Sequence, residues 1–139
     1  MSILIKSAKI IDANSKFNGK TQDILITKGK INEIATSIPN SKAKEIINQK
    51  NLHVSPGWLD SSVCFGEPGL EERETLVNGA KTASLSGFTD IILNAVTDPY
   101  LDTKADVSYI KSKSSEFVIN IHPTGCLTKE SKSEKLADI

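Results

Sequence analysis

Arginine is nearly absent: of 17 basic residues only Arg73 carries a guanidinium, and the other sixteen are lysine. Two-pronged recognition of phosphate or carboxylate favours the guanidinium fork, so the chain has little of that tool. Excess charge is absent too. Lys plus Arg and Asp plus Glu both total 17, which removes the long-range field by which a nucleic-acid binder finds phosphate. No apolar run approaches the roughly 20 residues of a membrane helix, and Met1 to Ile5 shows none of the signal-peptide pattern. Two cysteines, Cys64 and Cys126, cannot build a disulfide framework and have no CxxC spacing. Neither GxxxxGK[ST] nor GxGxxG occurs, so a nucleotide site has no support. The expectation is a soluble, cytoplasmic α/β chain with no nucleic-acid or membrane partner. Its 139 residues suffice for one sizeable core.

The first fifty residues pattern as short strands and turns. Ile3-Leu4-Ile5 and Ile10-Ile11 are β-branched runs closed by turn chemistry at Asp12 to Ser15. Lys28-Gly29 between Asp23–Thr27 and Lys30–Ile34 signals a tight hairpin. Ile31 and Ile34 break alternation, which predicts a strand fading after Asn32; Lys42 to Gln49 fits a strand or a helical turn. After Pro56-Gly57 the period changes. Trp58 to Phe65 is a mixed apolar run, and Leu76, Val77, Ala80, Ala83 and Ser84 recur at helical spacing up to a stop at Gly87. Asp90 to Val96 predicts a second strand. Asp102 can cap a helix burying Ala105, Tyr109 and Ile110, with Val107 beside them. Phe117 to Ile121 predicts a third strand, and Ser131 to Ile139 a further helix. Strands alternating with helices at these lengths build a parallel sheet. Three such strands cannot close a barrel, so the pattern reads as part of a larger protein or as one completed by another chain.

Several motifs then converge. Pro56-Gly57-Trp58-Leu59-Asp60, Glu67-Pro68-Gly69, Glu74-Thr75, the run from Ala83 to Thr89 and the stretch from Asn94 to Thr103 resemble the dihydroorotase family of the amidohydrolase superfamily. That family runs roughly PGxxDxHxHxREPG, KE[TD], AAxxGGFT and MPNTxPxxDT, and Asn120 to Lys129 is similar to its third-strand exit. The resemblance implies an α/β fold in which residues 1–54 form part of a small β-sandwich. Residues 55–139 would form the first three βα units of a (β/α)8 TIM-like barrel. It implies an active site at the strand C-terminal ends, where two strand-1 histidines hold zinc and a metal-bound hydroxide attacks a cyclic amide. In pyrimidine biosynthesis this interconverts carbamoyl-aspartate and dihydroorotate. An Arg two residues after the second His, and the Asn of MPNT, hold the substrate carboxylate.

The sequence departs from the pattern at the chemistry. The two ligand positions are Ser62 and Cys64, the Arg position is Gly66, and the Asn position is Val96. A neutral hydroxyl is a poor zinc ligand beside imidazole, and the lost Arg and Asn each remove charge-assisted bonds worth about 1.5–3 kcal/mol. The resemblance with these departures implies a non-catalytic relative, a pseudoenzyme needing no cofactor. Its role would be structural or regulatory, with aspartate transcarbamoylase or copies of itself as partner. The alternative is an active amidohydrolase whose remodelled zinc ligands, Asp60, Cys64 and His122, are completed by residues beyond 139. The milder readings are also specific. They make Cys64 a buried small hydrophobe, His122 a hydrogen-bonded loop residue and Cys126 core or loop filler. His53 is a surface or packing residue, Lys129 is solvated, Trp58 is core, and Glu71 to Glu74 form the solvated first turn of a helix.

Overall fold

The computed structural model describes residues 1–132 and 134–139. It divides into two compact units, Met1–Pro56 and Gly57–Ile139. In the first, β1 (Ser2–Ile10), β2 (Thr21–Thr27), β3 (Lys30–Ala35), β4 (Glu45–Ile47) and β5 (His53–Val54) form one mixed sheet. Its order is β3-β2-β1-β4, with β5 also paired to β1. The β2–β3 turn places Lys28 and Gly29 at φ 51° and 74°, the left-handed pair that matches strand twist in a two-residue hairpin. β3 does not fade after Asn32. Leu25 pairs with Glu33 and Ile26 with Ile31, so Asn32 is the extra residue of a bulge, and that is why alternation breaks. Between Lys42 and Gln49 both readings find a place: a 3₁₀ turn ends at Lys42 and β4 follows. Leu4, Leu25 and Ile38 make the small core.

A buried carboxylate fixes the irregular part of this sheet. The β1 register shifts between Ile5 and Ala8, and Ser7 there takes φ 51°. Asp23, 2% exposed, accepts from the Ser7 and Ile38 N–H groups, each at 2.8 Å, and pairs with the Lys6 ammonium. Burial pushes its pKa up, but the Lys6 bond and the two backbone donors outweigh that and hold it below the usual range. A depressed folded pKa stabilises above the unfolded value of about 4 and loses that contribution as pH falls through it toward the lower folded pKa. Asp23→Asn is expected to cost about 2 kcal/mol at neutral pH. It should also flatten the acid limb of the stability profile below about pH 5, as urea titrations across pH would record.

The second unit is a parallel sheet, β6 (Trp58–Val63), β7 (Phe88–Leu93) and β8 (Asn120–Pro123), in that order. It is connected by α1 (Leu76–Leu85) and α2 (Lys104–Lys113). Both helices pack on one face, where Ile91, Leu93 and Ile121 meet Leu76, Ala80 and Ile110 in one buried cluster. Thr75 caps α1, and Gly87 takes φ 89° just beyond its end, as a C-terminal stop requires. Among the described residues no helix is long and apolar enough to cross a membrane.

Several local expectations need correction. The α2 cap is Thr103, in a reciprocal capping box with Asp106, not Asp102. Of its expected stripe only Ile110 is buried, and Tyr109 is 44% exposed. β8 starts at Asn120 because Ser114 and Phe117 continue a helical turn, donating to the Ile110 and Ser114 carbonyls. Glu71 to Glu74 precede α1 instead of forming its first turn. Trp58 is 61% exposed, edge-on to Phe88. The segment after Cys126 is not an α-helix among the described residues. It forms a 3₁₀ turn over Lys129–Ser131 and bridges from Thr128 to Leu136 and from Thr103 to Asp138; Ser133, within the expected helix, lies outside the described residues.

Candidate functional site

The carboxyl ends of β6 and β7 meet on the sheet face away from the helices. Leu59 pairs with Asp90 and Asp60 with Ile91, but the next pair is Val63 with Leu93. β6 thus advances one residue further than β7, a bulge. The consequence is a change of face. Asp60 and Val63 both look toward the helix layer, sharing a cleft with Phe65, Gly79 and Ile91, while Ser62 and Cys64 turn to the opposite side.

There they meet Asn94, the residue after β7. Its side-chain amide donates to Ser62 Oγ at 3.1 Å and to Cys64 Sγ at 3.5 Å. Cys64 is exposed, not a buried hydrophobe. Residue-level reading passed over Asn94; the available signal was a carboxamide closing the apolar run Ile91-Ile92-Leu93. Val96, where the resemblance leads one to expect Asn, is 45% exposed.

A second polar group lies on the same face. Asp90 Oδ1 accepts from Asn120 Nδ2 at 3.0 Å and lies 2.8 Å from His122 Nε2, while Oδ2 accepts from Thr89 Oγ1 at 2.9 Å. His122, then Asn120 and Thr89, hold the Asp90 carboxyl below its usual range. The remodelled set Asp60, Cys64 and His122 is therefore not assembled. The bulge turns Asp60 to the helix side, where its Oδ1 caps the Ser62 N–H at 3.1 Å. Cys64 is engaged by Asn94, and His122 by Asp90. Among the described residues no three His, Cys, Asp or Glu side chains form a group that could hold a metal ion. Ser62, Asn94 and Cys64 offer two neutral oxygens or nitrogens and one thiol, a donor set that does not fit zinc.

The loop after β6 carries the remaining position. Gly66 donates to the Glu74 carbonyl and accepts from the Leu70 N–H, both at 2.9 Å. A Cβ at Gly66 would stand 1.7 Å from the Leu70 carbonyl oxygen, so the backbone is folded tightly where the family carries an Arg. Glu67, 5% exposed, turns inward: its Oε2 accepts from the Leu76 N–H at 2.7 Å and its Oε1 pairs with Lys113 at the end of α2. Burial raises the Glu67 pKa, yet Lys113 and the Leu76 N–H more than reverse it, and the net shift is downward. Burial, then the Asp102 charge, push the Cys126 thiol up, the reverse of what a nucleophile needs. His53 is exposed, its Nδ1 near the Asn51 carbonyl, and Lys129 is exposed as well.

No protein-family model matches the chain. Over its full length it is 35% identical to a dihydroorotase of Citrifermentans bemidjiense and to one of Geobacter sp. strain M21. It covers 33% of each, so the chain spans about a third of the length of these curated relatives. Among solved structures, the L-hydantoinase (dihydropyrimidinase) of Arthrobacter aurescens matches 91% of the chain over 28% of its own length, with TM-score 0.78 and 20% identity. A dihydroorotase structure matches 93% of the chain over 32% of its own, with TM-score 0.61 and 16% identity. These two likenesses show an α/β fold shared with about three-tenths of each of those structures.

Proposed function

We propose that the chain is the N-terminal part of a dihydroorotase-like amidohydrolase that has given up catalysis for a structural or regulatory role in pyrimidine biosynthesis. The observation that carries this reading is the Asn94 carboxamide bridging Ser62 and Cys64. The two ligand positions are satisfied by a neutral hydrogen-bonding neighbour, and nothing in that arrangement calls for a cation. Gly66 supports it from the substrate side, because its packed backbone leaves no room for a carboxylate-holding side chain. Such a protein would act through a partner in the cytoplasm, either aspartate transcarbamoylase or its own copies.

The test uses the full-length protein. Zinc content by mass spectrometry should be well below one per chain. Hydrolysis of dihydroorotate should lie at least about a thousandfold below a working relative, the scale of losing one charge-stabilising group. Stoichiometric zinc with turnover like that of its relatives would instead establish an enzyme whose ligands come from beyond residue 139.

A further inference from the structure

Asparagine followed by glycine occurs twice, at Asn18-Gly19 and Asn78-Gly79, and neither pair belongs to the site described above. Asparagine is among the thermolabile residues, and a following glycine has no Cβ to hinder approach of its nitrogen to the carboxamide. The two pairs sit in opposite settings. Asn78-Gly79 lies inside α1, where the buried Gly79 donates its N–H to the Thr75 carbonyl at 3.0 Å. The Asn78 side-chain amide donates to Glu74 Oε1 at 2.9 Å. A Cβ at Gly79 would stand 2.3 Å from the Phe65 ring, so this backbone cannot turn unless α1 is first unpacked from Phe65.

Asn18-Gly19 stands in the turn between β1 and β2, and both residues are exposed. Gly19 takes φ 75°, and among the described residues no heavy atom lies within 4 Å of the place a Cβ would occupy. The Asn18 N–H donates to the Ser15 carbonyl and the Lys20 N–H to the Phe17 carbonyl, both at 3.0 Å. The Asp12 N–H donates to Asn18 Oδ1 at 3.0 Å. That bond activates the carboxamide. It draws density from Cγ and is placed to stabilise negative charge developing on Oδ1, as backbone donors do for an oxyanion. The Gly19 N–H donates to the Ile10 carbonyl at 2.8 Å, and releasing it opens only a loop, which costs less than opening a helix interior.

We propose that Asn18 is a self-modification site, where the Gly19 nitrogen attacks Asn18 Cγ and the asparagine becomes a mixture of aspartate and isoaspartate. The bond from the Gly19 nitrogen to Cγ forms and the bond from Cγ to Nδ2 breaks. The proton of the Gly19 nitrogen passes through solvent to Nδ2, which leaves as ammonia. One water then opens the five-membered imide. Opening at Cγ restores the main chain with a side-chain carboxylate, whereas opening at the main-chain carbonyl routes the chain through Cβ and Cγ. Either product adds a negative charge beside Asp12. The second also inserts a methylene before Gly19 and displaces its N–H from the Ile10 carbonyl, where β1 and β2 are joined.

The test holds the full chain at mildly alkaline pH and body temperature for weeks and follows it by peptide mass spectrometry. Cleavage after Lys16 and Lys20 isolates Asn18 from Asn14. The peptide carrying Asn18 should give way to two products of equal mass, heavier than the parent by the difference between an acid and an amide. The Asn78 peptide should convert at least about tenfold more slowly, since α1 must open first. In concentrated urea that protection is gone, and the two pairs should convert at similar rates. Asn18→Gln, whose longer side chain would have to close a larger ring, should leave the peptide unmodified. An Asn18 peptide that stays intact, or that converts no faster than the Asn78 peptide in the folded chain, overturns the proposal. A single product at Asn18 overturns it as well, because direct hydrolysis of the side-chain amide yields aspartate alone.

Discussion

Glu67→Ala is expected to lower the unfolding free energy of the chain by about 3 kcal/mol, the lower part of the range for breaking a buried ion pair. Two losses add. The Leu76 N–H, at a residue with no exposure, loses its acceptor at 2.7 Å, and an orphaned buried donor costs about 1–3 kcal/mol. The α1 N-terminus also loses one of its nearby carboxylates. The first turn of α1 contains no acidic residue, so Glu67 and Glu74, whose Oε1 accepts from the Thr75 N–H at 3.0 Å, supply from the preceding loop the negative charge that the helix dipole favours. Lys113 moderates the total, because its side chain is 38% exposed and returns to water. Glu67→Gln keeps an acceptor for Leu76 and should cost about half as much. In a thermal melt Glu67→Ala should fall by roughly 10 °C; a shift within 1–2 °C would mean that the loop is held by something else.

This result would explain a division within the motif set. Glu67 lies one residue from Gly66, yet one keeps the family residue and the other does not. Glu67 ties the loop after β6 to the start of α1 and the end of α2. Glu67 and Gly66 are thus both held by the packing of this loop, the first through its carboxylate and the second through lack of space for a side chain.

The same distinction governs what could be read from the sequence. The βα alternation was legible because apolar runs such as Asp90–Leu93, and the helical spacing of Leu76, Ala80 and Ala83, report local burial directly. The positions Ser62, Cys64, Gly66 and Val96 are read from motif spacing alone; their geometry is not legible there. Asp60 and Cys64 stand four apart, which in a regular strand puts them on one face, and only the pairing of β6 with β7 reveals the bulge that separates them. Pairing across strands is also what joins Asp90 to His122, 32 positions away, and no local pattern records it. The end of the chain failed for a third reason. Ser131 to Ile139 has helical spacing, but Asp102 accepts from Glu130 and Asp138 backbone N–H groups. Those tertiary bonds compete with the helix and win over a weak propensity.

The second large effect concerns rebuilding the site. Ser62→His/Cys64→His changes two exposed residues and displaces only the Asn94 bonds, so stability should stay within about 1 kcal/mol. Gly66→Arg should differ sharply. Glycine is needed there for space, not for a left-handed φ: any Cβ meets the Leu70 carbonyl oxygen at 1.7 Å and its carbon at 2.5 Å. Those are backbone atoms, held by the Leu70 N–H bond back to Gly66 and by the Gly66 N–H bond to Glu74, so they cannot rotate away as a side chain would. Relief requires moving the loop between Gly66 and Thr75, which loosens the Glu67 anchor and the α1 cap together. The expected cost is about 3 kcal/mol or more, at the top of the range for overpacking. Gly66→Ala should show most of it, because the clash is with Cβ. Urea unfolding of the two glycine variants beside the double histidine variant measures the contrast. If Gly66→Arg proves as stable as the parent, the loop is free to reopen. If it is destabilised as expected, packing alone excludes a long side chain at this position.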